Sequence, residues 1–269
     1  MSNLQKILGA IDNDRVRDQL IAAAADGVDV PKLLADARVA VGASESLQAC
    51  SASYILQSLA QAAQAGLRVN VGGECYLVPF KGRCTLIAGW RGLLKLANRS
   101  PKVVAIDVQA VYAGEPFDVV ITADGPVWTH RPDPFGRTAD RPVVGVYAYC
   151  RMVGGGALFE AMSVDEVDSI RARAASSKGS SPWDTDWVQM ALKTVLRRLL
   201  KRVPTDDEGA RRIEAALAGD VVIDGIADVP RRRQSANVAR LASERLERLE
   251  PVTGDHDAVT VEVRNDDRA

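Results

Sequence analysis

Apolar side chains recur with helical spacing in the first quarter of the chain. Residues 15–41 predict two helices separated at the sequence GVDVP, where Gly27 and Pro31 interrupt the repeat. A third helix is predicted over 51–65, and Gly66 is a residue suited to ending it. Its apolar stripe consists of Ala52, Ile55, Leu56, Leu59 and Ala63. The chain is therefore expected to begin with packed helices.

From residue 75 onwards the apolar spacing changes from helical to strand-like. Residues 75–88 are two apolar runs joined through Lys81 and Gly82, which predicts a β-hairpin. A short helix is predicted over 89–100. Further strands are predicted over 103–112, 117–122, 126–130, 143–152 and 157–162. Because the connections are too short for the crossover helices that parallel strands need, these strands are expected to pair antiparallel.

Helical spacing returns after the last strand. Ser163 and Glu166 have the spacing of a capping box, which predicts a helix over 164–175. The clearest helical pattern in the chain follows at 183–204. Since helices, strands and helices come in blocks, the predicted fold class is α+β: an antiparallel β-meander and hairpin sheet packed with helices.

The composition changes after Pro204. Residues 205–269 contain 15 acidic and 10 basic residues, a net charge of −5, whereas the whole chain has a net charge of −1. We therefore expect an N-terminal helical region over 1–44, a core over 45–205, and an acidic, partly disordered tail over 206–269.

What the sequence lacks disfavours several classes of protein. No apolar run reaches the roughly 18 residues that cross a bilayer, and the N-terminus does not resemble a secretory signal, so we expect a cytoplasmic protein. The four cysteines are scattered and are expected to be reduced thiols, the alternative being that Cys75 and Cys84 face each other across the hairpin. His130 and His256 lie apart from each other and from any cluster of cysteines or acids, which argues against a metal site or a histidine catalyst.

Motifs for covalent chemistry are missing as well. The sequence has no G-x-x-x-x-G-K-[ST] loop for ATP, no acidic cluster with a following lysine of the kind found in two-metal nucleases, and no CxxC pair for zinc. No cofactor is indicated, and a need for Mg²⁺ is left open. These absences favour electrostatic binding without bond chemistry.

The last predicted helix concentrates positive charge. Residues 171–204 contain eight basic and two acidic residues, and on a helix over 187–203 the apolar side chains share one face of roughly 140°. The basic side chains are predicted on the opposite, solvent-facing side: Lys193, Arg197 and Lys201 in one row, with Arg198 and Arg202 beside it. Because like charges four residues apart destabilise a helix, the row is interpreted as a phosphate-binding ridge. The alternative is a solvated face whose bases simply suit the helix dipole.

Several separated segments together form a recognisable series: SASYILQSLAQAAQAGL (51–67), YLVPF (76–80), LIAGWRGLLKLANRS (86–100), VYAG (111–114), VYAYCRM (146–152) and KGSSPWDTDWVQMALKTVLRRLLKRVP (178–204). In order and spacing they resemble the RecT family of phage single-strand annealing proteins. The resemblance covers roughly residues 45–205. It implies an annealing core of sheet and helices that binds single-stranded DNA and the annealed duplex and pairs complementary strands without ATP. It also implies rings or helical filaments of the protein, with subunit contacts in the N-terminal region.

The resemblance further implies a pathway and partners. Proteins of this kind act in phage-type recombination inside the bacterial host, with an exonuclease that produces the single strands. The C-terminal part of the family is associated with protein partners, and an acidic tail of the host single-strand-binding protein would suit the basic residues 231–233. A merely solvated segment is the alternative there.

The resemblance also points to individual DNA contacts. The first rank comprises Arg91 and the basic residues Lys193, Arg197, Arg198, Lys201 and Arg202. The second rank comprises Lys178, Ser181 and Trp183, in or beside a Ser/Gly/Lys segment whose groups suit phosphate oxygens. Lys81 and Arg83, in the hairpin turn, are predicted to contact DNA or a neighbouring subunit, the alternative being a solvated turn.

Two departures bear on these assignments. The family usually carries a second lysine where this chain has Leu192 and Lys193, which leaves the contact pattern open. Trp90 and Trp187 are interpreted as core or subunit anchors rather than as platforms for bases. The competing functional hypotheses are a DNA-processing nuclease and a structural oligomer whose basic helix meets another protein.

Overall fold

The computed structural model describes residues 2–80, 82–138, 140–173 and 182–224. Within them, five helices open the chain: α1 (Asn3–Ile11), α2 (Asp14–Ala23), α3 (Val30–Gly42), α4 (Glu45–Gln48) and α5 (Ala52–Ala65). The predicted helices α2, α3 and α5 are confirmed, and Gly66 ends α5 in the left-handed conformation with φ 72°. Helix α1, which the sequence analysis did not anticipate, begins with a capping box between Ser2 and Gln5.

The predicted hairpin follows the N-terminal helices. Strands β1 (Cys75–Phe80) and β2 (Arg83–Ala88) pair antiparallel, and the short helix α6 (Trp90–Ala97) comes directly after them. The register pairs Cys75 with Ala88 and Cys84 with Pro79, so the alternative that the two cysteines face each other is wrong. All four cysteines of the chain are buried free thiols. Burial, together with the nearby Glu74 carboxylate, raises the pKa of Cys75 to about 12.

The remaining strands form two separate antiparallel sheets. Strands β3 (Val103–Tyr112), β6 (Val143–Met152) and β7 (Ala157–Ser163) pair in the order β3-β6-β7, whereas β4 (Phe117–Thr122) and β5 (Gly125–His130) form a hairpin of their own. The predicted antiparallel pairing is confirmed. The connectivity differs from a simple meander because the hairpin interrupts the sequence between β3 and β6, which pair directly.

Aromatic side chains attach the β4–β5 hairpin to the three-stranded sheet. The ring of Trp128 lies 5.0 Å from Tyr149 and 5.2 Å from Phe159, measured between ring centroids. Phe117 lies 5.2 Å from Tyr147 by the same measure. Pairs at this spacing stabilise packing beyond their buried area. Five of the thirteen aromatic residues of the chain therefore have a packing role in this one cluster.

Four helices complete the described part of the chain: α7 (Val164–Arg171), α8 (Pro182–Thr185), α9 (Trp187–Leu200) and α10 (Asp207–Asp224). The capping box between Ser163 and Glu166 is confirmed at the start of α7. Helix α9 packs on the three-stranded sheet and on α6, and α10 packs on α5, β2 and α6. The sequence analysis placed the end of the core at residue 205 and did not anticipate α10.

The α+β fold class is confirmed by this arrangement of helices and antiparallel sheets. Within the described residues, no helix has both the length and the apolar character needed to cross a membrane. The described residues all belong to one compact unit. Lys81, Lys178, Ser181 and the predicted tail beyond 224 lie outside the described residues.

Candidate nucleic-acid interface

Helix α9 has the apolar face that its periodicity predicts. Its buried apolar side chains are Ala191, Leu192, Val195, Leu196, Leu199 and Leu200. This face packs on strands β3, β6 and β7, so the helix is held firmly against the sheet. Burying such a stripe is what fixes the direction in which the basic side chains point.

The basic side of α9 differs from the prediction in its first half. Lys193 was expected to face solvent, but its side chain is only 6% exposed, and its Nζ lies 2.6 Å from Oδ1 of Asp220 on α10. Arg197 lies one turn further on, with its Nε 3.5 Å from Oδ2 of the same carboxylate. The expectation of a continuous solvent-facing row is therefore wrong at Lys193, because this side chain is buried in an ion pair with Asp220 of α10.

The second half of the basic side remains accessible to solvent. Arg198 donates to Glu160 at 3.3 Å and to Glu166 at 3.5 Å, and Arg202 donates to Glu160 at 3.2 Å. The side chains of these two arginines are 26% and 39% exposed. Lys201, directly after the last residue of α9, is exposed. A polyanion could thus reach only this end of the predicted ridge without moving α10.

A second exposed cation lies at the start of α6. Arg91 is exposed, and its guanidinium carbon is 5.3 Å from the centroid of the Trp90 ring. Among the residues that the structure describes, no carboxylate pairs with Arg91. The indole Nε1 of Trp90 donates to Oε1 of Gln189 on α9 at 2.6 Å, which ties α6 to the first turn of α9. Trp90 therefore has the anchoring role that the sequence analysis expected.

Close backbone packing brings this region together. A Cβ on Gly89 would lie 2.2 Å from the carbonyl oxygen of Gly73, and one on Gly92 would lie 2.1 Å from that of Glu74. Both approaches are open only to glycine. The glycines of the GWRG segment thus let the loop before β1 pack against α6 and leave Arg91 on the surface.

The other predicted contacts lie in different environments. Trp183 is 3% exposed, so it presents almost no surface to a ligand, which is at odds with its second-rank assignment. Trp187 donates from its Nε1 to Oδ1 of Asp168 at 2.8 Å and packs against the core, as expected for an anchor. Arg83 is exposed beside the hairpin turn, with its guanidinium 5.1 Å from the centroid of the Tyr54 ring.

A buried ionic network, which was not predicted from the sequence, lies beside the three-stranded sheet. Glu115, whose side chain is fully buried, accepts hydrogen bonds from Arg137, from the backbone of Tyr112 and Asp133, and lies 3.1 Å from Nε2 of His130. Burial raises the pKa of Glu115, but these hydrogen bonds, chiefly that of Arg137, outweigh it and hold the pKa well below its ordinary value. His130 is therefore not isolated from acids, because the fold brings Glu115 to it.

Neither Glu115 nor Asp220 has a local sequence signature that separates it from a surface acid. Asp220 lies in the alanine-rich stretch AALAGDVV, where a charge among small apolar residues is the one available hint of burial. No group of three or more His, Cys, Asp and Glu side chains is placed to hold a metal ion within the described ranges.

Comparison with known proteins gives a consistent result. The RecT family matches residues 32–224, which extend from α3 to the end of α10. The chain is similar to Protein RecT of Escherichia coli strain K12, with 29% identity over 227 residues that cover 81% of this chain and 82% of that protein. It is also similar to Uncharacterized protein YqaK of Bacillus subtilis strain 168, with 24% identity over 188 residues that cover 65% of this chain and 64% of that protein.

Proposed function

Because the chain belongs to the RecT family, we propose that it binds single-stranded DNA and pairs complementary strands without ATP. Family membership supports a role in DNA recombination by single-strand annealing. The finer proposal is that the protein acts as a ring or helical filament in phage-type recombination within the bacterial cytoplasm. It would cooperate there with an exonuclease and with the host single-strand-binding protein.

The observation that carries this proposal is the span of the family match, which contains both α6 with Arg91 and α9 with its accessible basic end. Cations at these two places would neutralise phosphates and lower the repulsion between two strands. A protein that binds the phosphates leaves the base edges free to pair. In this mechanism the protein makes and breaks no covalent bond.

The proposed DNA contacts can be ranked by how accessible each side chain is to solvent. Arg91, Arg198, Lys201 and Arg202 form the first rank because each is at least partly accessible to solvent. Lys193 is withdrawn from the ranking because it is buried against Asp220, and Arg197 is moved down because it shares that carboxylate. Trp183 is withdrawn because it is buried. Arg83 stays in the second rank, and Lys81, Lys178 and Ser181 remain predictions.

A pairing assay tests the proposal. Two complementary oligonucleotides, one with a fluorophore and one with a quencher, are mixed with the full-length protein in the absence of nucleotide. We expect faster quenching than without protein, and an affinity for one oligonucleotide whose logarithm falls linearly with log salt, with a slope of about −0.7 per neutralised phosphate. An unchanged pairing rate would contradict the annealing role, and loss of labelled strand in Mg²⁺ would indicate a nuclease instead.

A matched pair of variants locates the contact at α6. Arg91→Gln should weaken oligonucleotide binding by roughly threefold to tenfold, since one phosphate contact is lost. Lys102→Gln, at another exposed position, removes the same charge and should change binding by less than about twofold. Equal effects of the two substitutions would mean that Arg91 acts only through the net charge of the protein.

A further inference from the structure

Two arginines at the C-terminal end of α9 converge on one carboxylate. Arg198 lies in the last turn of α9, and Arg202 lies two residues after the end of the helix. The Nη1 of Arg198 lies 3.3 Å from Oε1 of Glu160, and the Nη1 of Arg202 lies 3.2 Å from Oε2 of the same residue. Each oxygen of a single anionic group is thus held by a different guanidinium. Arg202 also donates to the backbone oxygen of Phe159 at 3.1 Å, which places it along strand β7.

The contacts that basic residues of this region make with Asp220 and with Glu160 differ in how accessible they are to solvent. Lys193 and Asp220 are 6% and 1% exposed, so no outside anion reaches them without displacement of α10. Arg198 and Arg202, by contrast, are partly exposed while Glu160 is 11% exposed beneath them. The guanidinium groups therefore face solvent on one side and a carboxylate of the protein on the other.

We propose that Arg198 and Arg202 form a phosphodiester-binding site that Glu160 occupies in the free protein. The inference rests on the proposed function, because the phosphodiester would be that of single-stranded DNA. It adds that Glu160 weakens binding by competing with the DNA for the two arginines, and that Glu166, 3.5 Å from Arg198, competes more weakly.

The exchange is chemically possible because the incoming and outgoing groups carry the same charge. A phosphodiester and a carboxylate each bear one negative charge and two oxygens that a guanidinium can bind. The two guanidinium groups are partly exposed and exchange one anion for another, whereas Glu160, which is 11% exposed, must gain contact with water when they leave it. A nucleic acid offers in return the release of its condensed counterions. Without DNA, the carboxylate of Glu160 offsets the repulsion between the two guanidinium groups.

The test removes the competing charge and keeps the shape of the side chain. We expect Glu160→Gln to bind a labelled homopolymeric oligonucleotide about threefold to tenfold more tightly than the wild-type protein. The matched control is Glu208→Gln, since Glu208 is likewise held by two arginines, Arg211 and Arg212, each at 2.9 Å. This control changes the net charge equally and should shift the affinity by less than about twofold. Thermal unfolding of each variant establishes that it is folded.

A double-mutant cycle identifies the arginine side of the site. In an Arg202→Gln background, Glu160→Gln should lose most of its gain, because one of the two guanidinium groups that it frees is gone. Glu166→Gln serves as a second variant, with a smaller expected gain. Gln keeps the capping box at the start of α7, so this substitution leaves the helix intact.

The possible results separate this inference from the proposed function. If Glu160→Gln and Glu208→Gln bind equally, or if the gain survives in the Arg202→Gln background, Glu160 does not occupy a DNA site, whether or not the protein anneals strands. If the expected gain is seen but no variant accelerates pairing, the phosphate site stands and the annealing function fails. If neither wild type nor Glu160→Gln binds an oligonucleotide, both are overturned.

Discussion

Asp220 is the residue that decides which basic side chains of α9 can meet a ligand. Its carboxylate is buried and shared between Lys193 and Arg197, so two of the positive charges that the sequence displays are neutralised inside the protein. Burying an ammonium group costs free energy, which is offset only while a carboxylate partner is present. The charge of the helix is therefore divided between a structural part and an accessible part.

We predict that Asp220→Asn lowers the free energy of unfolding by about 3–5 kcal/mol, because it leaves the Lys193 ammonium group buried without an opposite charge. Urea denaturation measures the change. Adding Lys193→Met to this variant should recover part of the loss, since a side chain of similar length without a charge then fills the site. A loss of less than about 1 kcal/mol for the single substitution would mean that water reaches Lys193.

Glu115 has a similar structural role on the other side of the three-stranded sheet. It joins Arg137, in the loop before β6, to His130 at the end of β5, and His130 in turn lies 3.1 Å from the hydroxyl group of Tyr147 on β6. The network thus fixes both the hairpin and the following loop to the sheet. The pKa of Glu115 is lowered by these hydrogen bonds, so the contribution of Glu115 to stability depends on pH.

We predict that Glu115→Gln destabilises the protein by about 2–3 kcal/mol at neutral pH, because buried charged hydrogen bonds are lost. A carboxyl group with a lowered folded-state pKa stabilises fully above its ordinary pKa near 4.3, and this contribution is lost as the pH falls below that value. Melting temperatures of both proteins between pH 7 and pH 3 should therefore converge towards the acidic end. A constant difference across this range would show that the charge of Glu115 is not involved.

Single residues also show where sequence reasoning reached its limit. The periodicity of α9 correctly placed Leu196 and Leu199 in the core, because the sheet covers one face of the helix. It could not place Lys193, because that side chain is buried in an ion pair with Asp220 on another helix, α10. A periodic pattern describes one element and its apolar face, whereas burial by a second element depends on tertiary packing.

At the scale of elements, α10 links α5 and the β1–β2 hairpin to α9. It contacts α5 and the β1–β2 hairpin on one side, and through Asp220 it contacts α9. A Cβ placed on Gly219 would lie 1.8 Å from the carbonyl oxygen of Leu86 on β2, so the helix backbone approaches the strand directly. The absence of a side chain at this position is what permits the contact.

We predict that Gly219→Ala destabilises the protein by about 1–3 kcal/mol, because α10 must move away from β2 to admit a methyl group. Gly9→Ala is the control, since Gly9 lies within α1 with no atom near its Cβ position. Alanine favours a helix over glycine, so this second substitution should stabilise by about 0.5–1 kcal/mol. Denaturant unfolding of both variants measures the difference, and two changes of the same sign would contradict the packing described for α10.

Elements with strong local patterns were the predictable ones. The β1–β2 hairpin, α5, α9 and the individual strands β3 and β6 were anticipated from spacing, turn residues and caps, because these features act within a few residues. The direct pairing of β3 with β6 was not anticipated, since it joins strands that are separated in sequence. Helix α10 was missed because the acidic composition after residue 204 suggested disorder. The composition of residues 205–269 is an average over the whole segment. It therefore does not reveal a single helix with a buried side near the start of that segment.

For the molecule as a whole, order and spacing of separated segments were more informative than any single motif. The resemblance in residues 45–205 led to the family that the comparison also finds, and the comparison extends the match through α10 to residue 224. Electrostatics was the less predictable property. A count of charges along the sequence does not show which of them form ion pairs. In the fold, Asp220 and Glu160 each neutralise basic residues from other parts of the chain.

The burial of every cysteine has a practical consequence for experiments on the intact molecule. Alkylating reagents attack the thiolate form of cysteine. Burial raises the pKa of each of the four thiols. At Cys84 the pKa is raised to about 11, with charge and hydrogen-bond effects acting beside burial. We predict that maleimide leaves the native protein unmodified and adds four groups after denaturation, as mass spectrometry would record. Partial modification under native conditions would reveal local opening. A cysteine introduced at the exposed Ala123 would then be a unique attachment point for a dye, with no need to remove the natural thiols.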